Sequence, residues 1–434
     1  MSQPSVGQSG AQTLHPLTRL PDGTVKQVNP LTGTKVWTLP GRAARPIGVP
    51  NRVPLPIDPD DHDRHCAFCA GRMLETTPEI ARLVRTAAGW TQLRGLLAEQ
   101  LDDSVAEFRL IPNLFEILSY DYWHLTHGFE PTPESQAHRE AYLATPAGRA
   151  HVTELARIRM RARGAHGADA EPLAEDDLDR EAVGLFAGNH QVVVARRHYV
   201  DGATDDTQLA ASGTLTPGEH EQYVRLSIEA VRDLYRGNPY ARYVSVFQNW
   251  LAASGASFDH LHKQVVAIDE LSAQKEVEVR RVRREPDLFL RWGARFAEEQ
   301  GLVVARTEHA VAFAGVGHRY PALVVHVLDG EPCPWELSEQ QVRDFSDLVH
   351  ACQAATGVHV PSNEEWHHRP PSVDVPIPLR AVIKWRISTL AGFEGGTKIY
   401  VNTIDPWTLR ERTVTRLREL FDAGAVSGRV EVAG

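Results

Sequence analysis

The chain is short of cysteine, of long apolar runs and of surplus positive charge. Four cysteines among 434 residues are too few for a disulfide scaffold, so a reducing compartment is the expected setting. No stretch of about 18 apolar residues occurs, the length a transmembrane helix needs, and no membrane association is expected. Lys plus Arg total 46 against 56 Asp plus Glu, a net charge of −10. That deficit argues against a general binder of nucleic acid or anionic membranes. The opening MSQPSVGQSG has neither a basic start nor an apolar core, which argues against a secretory signal. A cytoplasmic protein is the resulting expectation.

What is present is ordinary for a soluble protein. Hydrophobic residues make up 42% and charged residues 24%, enough apolar material for a substantial core. The length fits two or three domains, or one enlarged domain. Histidine is abundant at 20 residues, and its placement carries the argument below.

Residues 1–22 are polar and rich in Gly, Ser, Gln and Pro, and read as a flexible tail. NPLTGTKVWTLPGRAARP (Asn29–Pro46) reads as a turn, a short strand and a basic loop. A helical stretch is expected from Pro78 to Gln100. Phe108–Leu118 reads as a strand that leaves through a Pro-Asn turn. Residues 119–182 are mostly polar, with helical patches such as Thr153–Arg163, and look like an insertion.

Two later segments share a plan. Gln191–Ala195 reads as a strand, and Thr216-Pro217-Gly218-Glu219 as a capping box with proline at the first helical turn. The helix runs to a stop at Gly237 and Pro239. Strands follow at Tyr243–Phe247 and His260–Val266. About 122 positions later (Lys384 against His262) the plan recurs: strand Ala322–Val327, capping box Ser338–Gln341, stop at Gly357, strand Val382–Ile387. A strand–helix–strand unit occurring twice predicts a duplicated α+β fold. In that register His260 faces Val382, His262 faces Lys384 and Gln264 faces Arg386.

Two constellations carry chemistry. Cys66-Ala67-Phe68-Cys69 is a C-x-x-C pair, suited to a metal or to a redox dithiol. A zinc site needs two further ligands. His62 and His65 are near in sequence; His198 and His260 are distant but sit beside predicted strands. The second constellation is His260-x-His262-x-Gln264. Alternate residues of a strand share a face, so two imidazoles and an amide project together. The small-residue loop Ala252–Ser257 precedes them, and its backbone N–H groups could approach an anion, with Ser254 and Ser257 adding hydroxyls. A phosphate loop beside an aligned histidine suggests attack on phosphorus by neutral imidazole.

These residues resemble galactose-1-phosphate uridylyltransferase and its relatives, the transferase branch of the histidine-triad superfamily. The matching segments are His260–Gln264 (H-x-H-x-Q), FQNWLAASGAS (Phe247–Ser257), Asn29–Pro46, CAFCAG (Cys66–Gly71), IPNLF (Ile111–Phe115) and AGFEGGT with YVN (Ala391–Thr397, Tyr400–Asn402). The resemblance implies two tandem histidine-triad-like domains, each an antiparallel sheet with helices: a catalytic one over 23–270 and a C-terminal one over 271–434 that lacks the His-x-His pair. It implies His262 as nucleophile. Gln264, Asn249, Gly255 and Ser257 would hold the phosphate, Arg42 and Arg45 the nucleotide, and Asn113 the ribose or base. Cys66, Cys69, His198 and His260 would hold one structural zinc ion. A homodimer acting in galactose and carbohydrate metabolism is the implied setting.

The implied reaction is a ping-pong transfer of a nucleoside monophosphate between a nucleoside diphosphate sugar and a sugar 1-phosphate. A phosphorylase or hydrolase would use the same histidine with another acceptor, and a zinc-stabilised nucleotide-binding protein would use no chemistry. The chain departs from the family at Leu261, where proline is usual, at Leu114, where an acidic residue is usual, and at Lys384 and Arg386, which replace a second His-x-His pair. No second metal is expected there; a cation pair would suit a sugar phosphate.

Overall fold

The computed structural model describes residues 15–40, 53–58, 62–169, 172–328 and 333–434. Strands β1 (Leu17–Arg19), β2 (Val25–Val28) and β3 (Lys35–Thr38) open it as an antiparallel ladder. The tail expected through residue 22 therefore ends earlier. Burial of Leu17 and Val25 offsets the cost of ordering the short β1. Residues 1–14 lie outside the described residues. Asn29 makes the NPLTG turn, its Oδ1 accepting the N–H groups of Leu31 and Thr32 at 2.9 and 3.0 Å. The basic loop with Arg42 and Arg45 lies outside the described residues.

The helix expected over 78–100 is a hairpin instead, β4 (Ala81–Thr86) and β5 (Gly89–Arg94). Gly89, at φ 116°, turns the chain between them. Residues 81–84 are buried on both faces of β4, and that tertiary burial overrides the helix propensity of the Ala/Leu-rich stretch. β6 (Ala106–Pro112) follows where Phe108–Leu118 predicts a strand, and ends at the Pro-Asn step.

Between β6 and the next strand, the described residues form four helices: α1 (Tyr120–His127), α2 (Pro133–Leu143), α3 (Pro146–Ala162) and α4 (Glu175–Phe186). Ser119, Thr132 and Thr145 cap the first three through their hydroxyls. Tyr142, Leu155, Met160, Leu178 and Leu185 give them an apolar cluster of their own.

Next come β7 (His190–Ala195), α5 (Pro217–Gly237), β8 (Tyr243–Trp250) and β9 (His262–Ile268). α6 (Ala273–Arg284), α7 (Phe296–Glu299), β10 (Val303–Arg306), β11 (Ala310–Ala314) and β12 (Ala322–Val327) lead to α8 (Glu339–Thr356), β13 (Ser362–His367) and β14 (Arg380–Trp385). α9 (Gly392–Thr397), β15 (Ile399–Asn402), α10 (Pro406–Asp422) and β16 (Glu431–Val432) end the chain. Both capping boxes form. Thr216 N–H donates to Glu219 at 2.8 Å, and Ser338 N–H to Gln341 at 3.0 Å, with the hydroxyls accepting in return.

Among the described residues, twelve strands make one antiparallel sheet in the order β16-β10-β11-β12-β14-β13-β8-β9-β7-β6-β4-β5. Outward from the central β8–β13 ladder, β9-β7-β6-β4 and β14-β12-β11-β10 run in matching order while the edge strands β5 and β16 do not correspond, and α5 and α8 occupy matching crossovers on one face. On β8 the residues alternate. Gln248 turns to that helical face, where Tyr223 of α5 donates to it at 3.2 Å. Ser245, Phe247 and Asn249 turn to the opposite face and line a cavity there. On β9, Lys263 meets the Tyr223 ring at 5.0 Å, so His262 and Gln264 also occupy the face away from α5.

A second, four-stranded sheet joins β1, β2 and β3 to β15, which pairs with β3 in parallel. It docks on the bend between β11 and β12. Asn29 Nδ2 donates to Val316 O at 3.0 Å, and Asn402 Nδ2 to His318 O at 3.1 Å. Gly317, at φ 69°, is required at that contact, since a Cβ there would meet Asn29 N at 2.2 Å.

Candidate functional site

Four residues from three parts of the chain converge behind β9. Cys66 and Cys69 come from the loop before β4, His198 from just after β7, and His260 from just before β9. The Sγ atoms are 3.7 Å apart. Cys66 Sγ lies 3.4 and 3.5 Å from Nδ1 of His198 and His260, and Cys69 Sγ lies 3.7 and 3.8 Å from the same atoms. All four side chains are buried, with ligand atoms within 4.8 Å of one another. A tetrahedral ion with bonds of about 2.3 Å to sulfur and about 2.0–2.1 Å to nitrogen requires edges of about 3.5–3.8 Å between these donors. The donor chemistry agrees. His260 Nε2 donates to Ala195 O at 2.6 Å, which leaves Nδ1 free as a ligand. The cluster can hold one metal ion.

His62 and His65, the sequence-local alternatives, do not join it. The His65 ring packs edge-on against His198 at 4.7 Å, and the His62 ring lies against Tyr199 at 5.6 Å.

His262 stands two residues beyond the cluster on the open face. Its Nδ1 donates to His260 O at 2.7 Å, which leaves the lone pair on Nε2. Burial pushes the imidazole down to about 4, and it is neutral near pH 7. Phe68, from inside the C-x-x-C loop, walls the ring at 5.1 Å between centroids. Ile111, Val192 and Val194 form an apolar patch beside Phe68. Neutral imidazole with a fixed tautomer and a free Nε2 can act as a nucleophile or a base.

Gln264 is tied from behind. His190, which opens β7, holds its Nε2 at 2.9 Å from Gln264 Oε1. Ile117 N–H donates to His190 Nδ1 at 3.3 Å, so the ring proton is on Nε2 and goes to Gln264. Burial keeps this ring neutral as well, down to about 4. Asn113 accepts Phe115 N–H at 2.9 Å, and its Nδ2 borders His190 Nε2 at 3.1 Å. Asn113 and Gln264 thus meet around one histidine that sequence reasoning missed. The miss has a cause: β7 is apolar along most of its length, and no alternation marks His190 as facing the site. Beneath it the half-buried Glu116 accepts the N–H groups of Asn189, His190 and Tyr120 at 2.9, 3.3 and 3.2 Å. That carboxyl anchors β7 to the start of α1.

The loop from β8 to β9 carries the remaining expected residues. Leu251 leaves β8 at φ 65°, a strained value for a bulky side chain. Gly255 takes the left-handed conformation at φ 94°, and Ser257 is exposed. β8 pairs with β9 at Phe247–Gln264; carrying that register two residues on places Asn249 across from His262. A cavity of about 330 Å³ opens on this face, bordered by Phe247, Asn249, Lys275, Asn363, Glu365 and His367.

Lys384 and Arg386, the cations that stand in place of a second His-x-His pair, are each engaged by a neighbouring side chain. Lys384 Nζ is paired with Glu365 at 2.5 Å. Arg386 Nη1 donates to Asn363 Oδ1 at 2.7 Å, with the guanidinium 4.7 Å from the Tyr320 ring centroid. Among the described residues, no helix is long and apolar enough to cross a membrane.

Comparison with known proteins places this geometry in a fold. An ADP-glucose phosphorylase from Arabidopsis thaliana, solved with bound ADP-glucose, is similar over 90% of this chain and 97% of its own, with a TM-score of 0.57 and 18% identity. A GalT-like protein from Arabidopsis thaliana is similar over 89% and 97%, with a TM-score of 0.55 and 17% identity. These likenesses establish a GalT-like α+β fold built on antiparallel sheet. No curated protein matches the sequence at a significant level. A family model does match residues 20–434, from the first turn to the last residue, and the chain belongs to that family, the domain of unknown function DUF4921.

Proposed function

We propose that the chain is a nucleotidyltransferase that moves a nucleoside monophosphate through a nucleotidyl-histidine on His262. The observation that carries this reading is the buried, neutral His262, whose Nδ1 proton is committed to the His260 carbonyl, leaving the lone pair on Nε2, on a strand register that brings two amides, Gln264 and Asn249, alongside. In the first half-reaction Nε2 attacks the α-phosphorus of a nucleoside diphosphate sugar. An N–P bond forms, the P–O bond to the distal phosphate breaks, and sugar 1-phosphate leaves. In the second, a sugar 1-phosphate oxygen attacks phosphorus and the N–P bond breaks. Gln264, Asn249, Ser257 and the backbone at Gly255 hold the phosphoryl oxygens as charge builds on them. Asn113 meets the ribose or base, and Arg42 and Arg45 the nucleotide. The apolar patch by Phe68 supports the nucleoside, and the cavity beyond Asn249 leaves room for the rest of the substrate.

In this reading the ion held by Cys66, Cys69, His198 and His260 is zinc, and its part is structural. It clamps His260, whose carbonyl fixes the His262 tautomer. The two sides of the sheet are read as duplicates, with 23–270 the catalytic unit and 271–434 the unit without a His-x-His pair, on the support of their matching strand order. The protein acts in the cytoplasm, as a homodimer, on sugar nucleotides of carbohydrate metabolism. A second reading, phosphorolysis with inorganic phosphate as acceptor, draws support from the fold likeness to an ADP-glucose phosphorylase along nearly the whole chain.

The test is intact-protein mass at neutral pH, since a phosphoramidate is acid-labile. The protein is incubated in turn with UDP-, ADP-, GDP- and TDP-glucose and UDP-galactose, beside His262→Ala. A nucleoside monophosphate adduct with one donor, absent in the variant, is expected. Discharge of that adduct by glucose 1-phosphate, by phosphate or by water then names the acceptor. No adduct with any donor would sink the covalent mechanism.

A further inference from the structure

The side of the sheet without a His-x-His pair reaches into the site of the other. Asn363, on β13, pairs directly with Asn249 on β8 across the central ladder. Arg386 follows β14 and also turns toward this point. Three contacts fix every amide orientation. Guanidinium only donates, so the Asn363 atom 2.7 Å from Arg386 Nη1 is oxygen. A backbone carbonyl only accepts, so the Asn363 atom 3.0 Å from Ser254 O is nitrogen. These two assignments agree. The Asn249 atom 2.6 Å from Asn363 Nδ2 must then be oxygen, and the NH2 of Asn249 is left for the site.

We propose that Asn363 and Arg386 are positioning residues that hold the Asn249 amide with its NH2 group directed at the phosphate beside His262. This rests on the nucleotidyl-transfer reading above. The arrangement parallels the other flank, where His190 occupies Gln264 Oε1 and leaves that NH2 free. Each amide has its oxygen engaged from behind and its donors turned to the site, so an anion meets two donors without a competing acceptor. Lys384, engaged by Glu365, takes no part. Arg386 is thereby given a role that a surface cation lacks: its single-sign hydrogen bonding sets the polarity of a relay ending at the substrate.

The relay is tested by inverting it. Asn363→Asp is nearly isosteric and keeps a partner for Arg386, but offers Asn249 only acceptors. Asn249 then rotates and turns its oxygen to the phosphate. Single-turnover formation of the His262 adduct is expected to slow about 10- to 100-fold, the scale of losing one hydrogen bond to a charged group. Arg386→Met should lose activity in the same direction, Arg386→Lys should restore most of it, and Lys384→Gln should stay within about twofold of wild type. In the Asn249→Ala background, Asn363→Asp should add no further loss; an additive loss would mean a structural effect unconnected with Asn249. Wild-type rates in both Asn363→Asp and Arg386→Met would overturn the relay. If the wild type forms no adduct with any donor, the transfer reading fails instead. The relay is then read from side-chain amide resonances in 15N-asparagine-labelled protein, where unchanged Asn249 signals in Arg386→Met overturn it.

Discussion

Lys263 sits between His262 and Gln264 in sequence but points through the sheet to the opposite face, and this makes a strong stability prediction. Its ammonium is fully buried against Glu364 of β13, also fully buried, so the pair ties β9 to the other side of the sheet across β8. Glu364 accepts two further bonds, from Trp366 Nε1 and Gln353 Nε2, each at 2.6 Å. The Trp366 and Tyr223 rings lie 4.5 and 5.0 Å from Nζ. Replacing Lys263 with Met keeps the volume and removes the cation. Glu364 is left as a buried charge with only two neutral donors, and breaking such a pair costs about 3–5 kcal/mol. Adding Glu364→Gln removes the charge. The Gln353 amide can rotate to match, so the double variant should return to within about 1–2 kcal/mol of wild type. The assay is urea unfolding followed by circular dichroism, with the slope checked for constancy. A single variant as stable as wild type, or a double variant no better than the single, would refute the reasoning.

Three further outcomes are expected. Purified protein should carry about one equivalent of metal by elemental mass spectrometry; His198→Ala and Cys69→Ser should each lose it and melt lower, and full metal content in both variants would dismantle the four-ligand site. Glu116, pushed up to about 7 from 4.5 chiefly by burial, keeps its proton in the native state after the unfolded chain has lost its own. Stability should therefore fall between those pH values by up to about 1.4 kcal/mol per unit. Glu116→Gln should flatten that part of the profile, and parallel curves for the two proteins would contradict it. His190→Phe, which removes the donor behind Gln264, should slow adduct formation about tenfold with little change in donor specificity; an unchanged rate would mean that Gln264 needs no support.

Much was legible in the sequence because it is local. The capping boxes at Thr216 and Ser338 depend on four consecutive residues, and both helices begin there. The alternation of His260, Leu261 and His262 predicts Leu261 turned away from the site, and it is fully buried. The hairpin at Ala81–Arg94 was not legible, because spacing of apolar residues there fits a helix while burial on both faces of β4 belongs to neighbours distant in sequence. The same holds for the site. C-x-x-C and H-x-H-x-Q announce donors, but their spacing cannot choose between His62 or His65 and His198 or His260; only the meeting of the Cys66 loop, the end of β7 and the start of β9 does so. Likewise β3 and β15, more than 360 residues apart in sequence, are neighbouring strands. What the sequence by itself determined is which side chains can donate, accept or attack. What the tertiary structure decided is which of them are held close enough, and in which orientation, to do so together. That includes Asn363 and Arg386, whose hydrogen-bonding polarity acquires meaning only where β13 closes on β8.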